Sequence, residues 1–478
     1  MFAASAAATR LLASVKLDGS PEYWSVVQAA AAMQRRVISS EELTKLCFAR
    51  IKKLDAALNS YITIAESQAL IQARECDEQR RSQGSQNPLF GVPIALKDNI
   101  DTAGIRTTAG SQVFAHRVPT HDAEVAARLK AAGAVCLGKL NLDEFAFEGT
   151  GTTSFFGPVH NPWNRLHITG GSSAGSAAAL AAGLCYASVG SDDGGSVRIP
   201  ASFCGVTGFK TTYGRVSTRG VIPSAYSLDT IGPLARSVED AALVLQVLAG
   251  FDPADSITAD APVPDYLAAL YAPVTSLRVG IPRDYFFEKL NPDVATAIEN
   301  AIAILRPHVR EVRDVVLPRF QFVENGSYDV ELLHYQAPFF FKSPELYHPW
   351  SRRMLTDLEK VTAINYVETL KRLRDCKRDL RPIFEQVDVF LLPTKRDTAP
   401  TIQATIDETY VRPPSNTSAF NRFGTPAISI PCGFSRDDLP IGLQIVGRPF
   451  GEPQVLALAH RYQNLTDWHR RRPSLASI

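Results

Sequence analysis

Residues Gly190–Gly205, GSDDGGSVRIPASFCG, place two acids, two glycines and a serine in succession and then turn apolar. A surface turn uses the glycines but has no need of the apolar residues that follow. A backbone nest accounts for both. Consecutive N–H groups converge on one anion only where the backbone takes conformations that side chains obstruct, and Gly194 and Gly195 remove the obstruction. Ser196 comes next, so a carbonyl that it attacks has its oxygen beside those donors. One such donor is typically worth about 2.7–4 kcal/mol to the transition state. Pro200 falls where the first turn of a helix tolerates proline.

A second glycine and serine cluster, TGGSSAGSAAALAAG, spans Thr169–Gly183. A flexible linker is not followed at once by Ala-rich, helix-forming sequence. A phosphate loop needs Lys after its last glycine, and Gly175 is followed by Ser176. Gly171–Gly175, GSSAG, does match the G-x-S-x-G nucleophile elbow, with Ser173 as nucleophile. That reading requires an acid and then a His downstream. Asp388 with His460 or His469 are candidates, but no local context marks them.

Strand-like runs alternate with helical ones. GVPIALKDNI (Gly91–Ile100) reads as a strand entering a loop. HDAEVAARLKAAG reads as a helix closed by Gly133, and AVCLGKL as the next strand. SSEELTKLCFARIKKL and SVEDAALVLQVLAG start at serine caps. AISIPCGF and PIGLQIVG are late strands before a last helix. The expected fold is α/β, with a mixed, largely parallel central sheet covered by helices on both faces. The expected organisation is an N-terminal helical segment 1–68, a core 69–254, a mainly helical insertion 255–386 that shapes the pocket, and a return to the core in 387–478.

Taken together, the two Gly/Ser clusters and GVPIALKDNI resemble the amidase signature family. The signature runs from Gly170 to Ser217, and DVFLLPT, GTPAISIPCGF and PIGLQIVGRP extend the match to most of the chain. The resemblance implies a triad. Lys97 matches the catalytic lysine, Ser172 the serine after a cis peptide bond at Gly171–Ser172, and Ser196 the acyl-accepting nucleophile. The family also shows the separation of 24 positions between Ser172 and Ser196. It implies an oxyanion hole of the N–H groups of Asp193, Gly194, Gly195 and Ser196. Ser173, Ser176 and Arg198 are expected behind them as hydrogen-bonding support.

These residue types suit the chemistry. A serine hydroxyl must lose its proton as it attacks. With no His assigned, the proton passes from Ser196 to Ser172 and on to neutral Lys97. Lysine has an unperturbed pKa near 10.4, and lowering it by about three units takes roughly 4 kcal/mol. Burial among Ile94, Ala95 and Leu96 is the natural source. Standing alone, Lys97 would read as an ion-pair partner of Asp98. Asp193 departs from the family, where many members carry Thr. A carboxylate aimed at the oxyanion opposes catalysis, so its side chain is expected to turn towards Arg198 while its N–H points in.

Composition narrows the classes. Hydrophobic residues make up 45%, charged residues 21%, and the net charge is +1, without a basic stripe interleaved with aromatics. That argues against a nucleic-acid partner. Lys371–Arg381, KRLRDCKRDLR, reads as a solvated helix face. Seven scattered Cys fit reduced thiols in the cytoplasm, and nine His in no ligand-like spacing leave no metal site and no cofactor. MFAASAAATRLLASVK is a poor signal peptide, and no stretch reaches a membrane span.

The family contains stand-alone amidases and the glutaminase subunit of the Glu-tRNA(Gln) amidotransferase. The subunit usually carries a DEFAMG-like run; here DEFAFEG puts Phe147 and Glu148 before Gly149. The tail DWHRRRP also resembles stand-alone members. The expectation is therefore a stand-alone hydrolase, monomeric or homodimeric, cleaving a small amide, ester or carbamate (urethane) through acyl-Ser196. The alternative is the amidotransferase glutaminase subunit. Phe147, Glu148 and Gly149 are the candidate pocket residues. Glu148 alone reads equally as a surface-loop acid, and Phe147, Phe155 and Phe156 as either pocket or core.

Overall fold

The computed structural model describes residues 12, 15–83, 87–318 and 330–475. Most of the N-terminal stretch tested above as a signal peptide lies outside them. Among the described residues no helix is long and apolar enough to cross a membrane.

Eleven strands build one sheet. They are β1 (Tyr61–Ile64), β2 (Pro93–Lys97), β3 (Val135–Leu140), β4 (Ala187–Asp192), β5 (Thr207–Lys210), β6 (Thr230–Ala235), β7 (Arg278–Ile281), β8 (Glu311–Asp314), β9 (Val389–Pro393), β10 (Ala427–Phe434) and β11 (Pro440–Gly447). Their spatial order is β1-β3-β2-β4-β6-β5-β10-β11-β9-β7-β8. Residues of β2, β4, β6, β9 and β11 are buried throughout, as in a sheet covered on both faces. The mixed α/β class is as expected.

The pairing differs in proportion from the expectation of a largely parallel sheet. β2 pairs in parallel with β3 and β4, and β7 with β8 and β9. The other neighbours run antiparallel. A tight turn between β10 and β11 forces antiparallel pairing, whereas parallel neighbours need a crossover. The segment 255–386, expected to be mainly helical, also supplies β7 and β8 to one edge of the sheet. Its helices include Pro292–Leu305, Val330–Phe340, Pro349–Leu358 and Ala363–Gln386. Lys371–Arg381 lies on the last of these, where Arg378 pairs with Asp375 and Asp379 at the surface.

The local signals fold as their chemistry dictates. Ser39 accepts from Glu42 N and caps the helix Ser40–Leu58, with Leu43, Ile51 and Leu54 buried. Ser237 does the same for Val238–Leu248 through Asp240 N. Gly133, at φ 81°, closes the helix Glu124–Ala131 in a conformation that favours glycine.

The sheet positions the site through β2 and β4. These strands are parallel neighbours, with Leu96 opposite Val189, so Lys97 and Asp192 emerge side by side at their carboxyl ends. Openings of that kind are where α/β sheets hold ligands. The helices that follow each serine cluster, Ala174–Ala181 and Arg198–Cys204, pack against each other beneath the same opening. In β6, Gly232 faces Gly190 of β4, and a Cβ at Gly232 would lie 1.9 Å from the carbonyl oxygen of Phe209. Gly232→Ala is therefore expected to lower stability by about 1–3 kcal/mol, read as a lower urea midpoint with unchanged slope.

Candidate active site

Lys97 is fully buried at the end of β2. Its Nζ donates to Ser172 Oγ at 2.7 Å and to Ser191 Oγ at 2.8 Å. Asn99 Nδ2 donates to the same Ser191 hydroxyl at 3.1 Å. Asp98, the partner that a lone lysine would have been given, instead accepts from Thr108 and faces Lys139 at 3.7 Å. Burial pushes the Lys97 ammonium down to about 8, against the pull of Asp193, Asp143, Asp192 and Asp229.

Ser172 is held by its loop. The Gly171–Ser172 peptide is cis, as the resemblance implied. Gly171 N donates to Gly149 O, and Asp143 N to Ser172 O. The Asp143 carboxylate accepts from the N–H groups of Thr150, Gly151, Thr152 and Thr153. A Cβ on Gly171 would come within 2.0 Å of Asp143 Oδ2, so this close approach requires glycine. Sequence reasoning passed over Asp143, although it opens the same DEFAFEG run that holds the pocket candidates.

The Asp193–Ser196 turn hangs on Asp192. Its carboxylate accepts from Gly195 N at 2.8 Å and Val197 N at 3.0 Å, and pairs with Arg198 at 2.8 and 3.0 Å. Arg198 also donates to Thr417 O, Gln444 Oε1 and Asn421 Oδ1. Burial works to raise the Asp192 carboxyl, but the Arg198 guanidinium outweighs it and holds the group well below the usual carboxylate range. This corrects two expectations. Arg198 pairs with Asp192 rather than Asp193. The Gly195 N–H, expected in an oxyanion hole, is engaged by Asp192 instead.

Asp193 lies instead against Ser196. Ser196 Oγ is 3.4 Å from its Oδ1, and Ser224 Oγ donates to its Oδ2 at 3.0 Å. Ser173 is buried with its hydroxyl on Ser191 O, and its N–H donates to Ser196 O. Asp388 is held by Arg278, and His460 by Leu270 O and Glu239. The structure thus does not bring together the parts that an elbow at Ser173 requires. Ser176 Oγ is buried and has no hydrogen-bond partner among the described residues, so the support expected of it is not made. Cys185 and Cys204 are buried, and burial pushes both thiols up, which suits packing rather than reactivity. Among the described residues no group of three or more His, Cys, Asp or Glu side chains could hold a metal ion.

Ser196 opens into a cavity of about 230 Å³ that Phe147, Glu148 and Gly149 also line. Phe147 stacks on Phe145 on its way there. Phe155 is half-exposed and packs edge-on against Phe156, and neither ring lines this cavity. Glu148 is buried and paired with Arg412. Tyr410, Arg412 and Lys395 close the far side, and burial pushes Lys395 down to about 8. Arg412 stands 264 residues from Glu148 in a stretch, VRPPSN, without any recognisable pattern.

Residues 42–456 match the Amidase family model. The chain is 43% identical over 479 residues to the A-type subunit of the glutamyl-tRNA(Gln) amidotransferase of Methylococcus capsulatus, covering 94% of this chain and 98% of that one. Among solved structures, the same subunit from Thermotoga maritima superposes with a TM-score of 0.79 at 32% identity, covering 93% and 95% of the two chains. Peptide amidase from Stenotrophomonas maltophilia gives 0.83 at 31%, covering 94% and 98%.

The two amidotransferase subunits overturn the expectation of a stand-alone hydrolase without a nucleic-acid partner. Its two supports were local. Phe147 and Glu148 alter the lining of one cavity, and Trp468 in the tail packs on Phe434 of the sheet. Neither feature bears on whether other chains join this one. A near-neutral charge describes this chain's own surface and not that of a complex. None of the three relatives carries a carbamate in its name.

A buried lysine accepts a proton only when neutral, and its neutral fraction grows as pH rises through its pKa. The kcat/KM for an amide is therefore expected to rise as pH passes through about 8. Lys97→Met should abolish the rise together with most of the activity, as a pH profile of both proteins would register.

Proposed function

The chain belongs to the amidase family, and from that premise we propose that it is the glutaminase subunit of an amidotransferase acting on Glu-tRNA(Gln). It would release ammonia from the side-chain amide of glutamine and work beside partner subunits. The observation that carries this reading is the meeting of Glu148 and Arg412 in the cavity that Ser196 opens into. A free amino acid presents an ammonium and a carboxylate, and a paired acid and guanidinium are the groups that recognise them. The names of the M. capsulatus and T. maritima relatives support the same assignment.

In this reading Ser196 Oγ attacks the carboxamide carbon. Its proton passes to Ser172 and on to Lys97, which already touch. The N–H groups of Asp193, Gly194 and Ser196 stabilise the oxyanion. Collapse expels ammonia and leaves a γ-glutamyl ester on Ser196, which water then cleaves to glutamate. The carbonyl oxygen of Gly194 is pinned by Thr417 Oγ1 at 2.7 Å, which holds the donor turn rigid before substrate arrives.

The test is glutamate release from L-glutamine, by the chain alone and by the complex in which it is purified from its own cell. Ser196→Ala is expected to lose activity by three orders of magnitude or more. Arg412→Met should raise KM for glutamine about 10–100-fold, the equivalent of one lost charged hydrogen bond, with a smaller effect on kcat. Cleavage of other primary amides with no glutamine turnover in either form would reject this reading.

A further inference from the structure

Asp193 has no task in the relay described so far, yet its carboxyl sits against the nucleophile. Oδ1 lies 3.4 Å from Ser196 Oγ and Oδ2 is fixed by Ser224 Oγ at 3.0 Å. Ser224 is itself held by its N–H on the Asp229 carboxylate at 2.9 Å, and Ala225 N adds a second bond to that group at 3.1 Å. Asp193 also lines the substrate cavity. A second-row carboxylate thus positions the hydroxyl that positions the first.

We propose that the Asp193 carboxyl is the acid that protonates the leaving nitrogen, a step separate from the Lys97–Ser172 relay. In the tetrahedral intermediate the attacking oxygen and the leaving nitrogen are substituents of one carbon. A group in contact with Ser196 Oγ is therefore within reach of that nitrogen, and such contacts tighten from their resting length when substrate binds. The proposal rests on the acyl-Ser196 reading.

The protons balance over one turnover. During attack the Ser196 proton goes through Ser172 to Lys97 as the Oγ–C bond forms. As the C–N bond breaks, its electron pair stays on nitrogen, which takes the proton of the Asp193 carboxylic acid. In deacylation a water attacks the ester and gives its proton to the Asp193 carboxylate. The proton on Lys97 returns through Ser172 to Ser196 Oγ as that oxygen departs. Amide and water become acid and amine, and every group ends as it began.

The surroundings favour this state. Asp193 faces Asp192, Lys97 and Asp229. Burial and then the charge of Asp192 push the Asp193 carboxyl up, and burial and then Asp193 push Asp229 to about 8. A protonated carboxyl has no charge to set against the oxyanion, which removes the objection to an acid in this turn.

The experiment compares wild type, Asp193→Asn, Asp193→Thr and Ser224→Ala on butanamide, L-glutamine and p-nitrophenyl butanoate, with fluorophosphonate labelling of Ser196 as the control for an intact nucleophile. Ammonia must be protonated to leave, whereas p-nitrophenolate leaves as an anion. Asp193→Asn and Asp193→Thr are expected to lower kcat/KM for the amides at least 20-fold more than for the ester, and Ser224→Ala to shift the ratio in the same direction by less. Equal losses on amide and ester, or no loss, would overturn the proposal. So would a wild type that labels and cleaves the ester but neither amide, or one that does not label. Cleavage of butanamide without glutamine sinks the glutaminase reading alone, and the amide-to-ester ratio still decides the role of Asp193.

Discussion

The Asp192–Arg198 pair is the constraint on which this molecule turns. Both side chains are fully buried, a position that costs several kcal/mol per ion unless the remaining donors and acceptors are met. They are met from distant parts of the chain. The carboxylate gathers the N–H groups of Gly195 and Val197, and the guanidinium reaches Thr417, Asn421 and Gln444. Asn421 Nδ2 returns a bond to Asp192 Oδ1 at 2.8 Å. The turn that presents Ser196 is thereby tied to β11 and to the segment before β10. Loss of either partner would strand a charge in a dry interior.

That tie explains why the sheet must be mixed. β4 delivers Asp192 from the half of the sheet that carries Lys97, whereas Gln444 comes from β11, beyond β6, β5 and β10. The parallel pair β2–β4 aligns two carboxyl ends at one opening, and the antiparallel run that follows brings the C-terminal strands back beneath it. Arg198 spans the junction. Asp143 plays the matching part for the other serine, taking four successive N–H groups and requiring a bare Gly171 beside it.

The sequence makes legible what is local. Ser237, Ser39 and Gly133 act within a few residues of their partners, and the strand ending at Lys97 is short, buried and largely apolar. The glycine nest before Ser196 can be read because backbone geometry favours glycine at those adjacent positions, whereas Ser172 was reached through the family resemblance. The pairing of Arg198 was misassigned by one residue, since Asp192 and Asp193 differ only in which side of the turn they face. Ser191 was missed because a single hydroxyl has no pattern, and Arg412 because its partner Glu148 is joined to it only by the fold. The expectation of a stand-alone hydrolase failed for another reason: a cavity substitution and a tail motif describe one chain, whereas assembly is a property of surfaces.

Burial assigns the chemistry of the site more firmly than any single contact does. The same desolvation that disfavours an ammonium disfavours a carboxylate, so one dry pocket drives lysine towards neutrality and carboxylic acids towards protonation. In water lysine is the acid and aspartate the base. Here desolvation leads the shifts of Lys97, Asp193 and Asp229 alike, and draws the two kinds of group towards each other. Attraction between Lys97 and Asp193 opposes this shift, which keeps Lys97 near 8 rather than lower. Asp192 escapes it only because a permanent cation, Arg198, is locked against it. Two adjacent aspartates in one turn thus hold opposite protonation tendencies, and the difference between them is the guanidinium that one has and the other lacks.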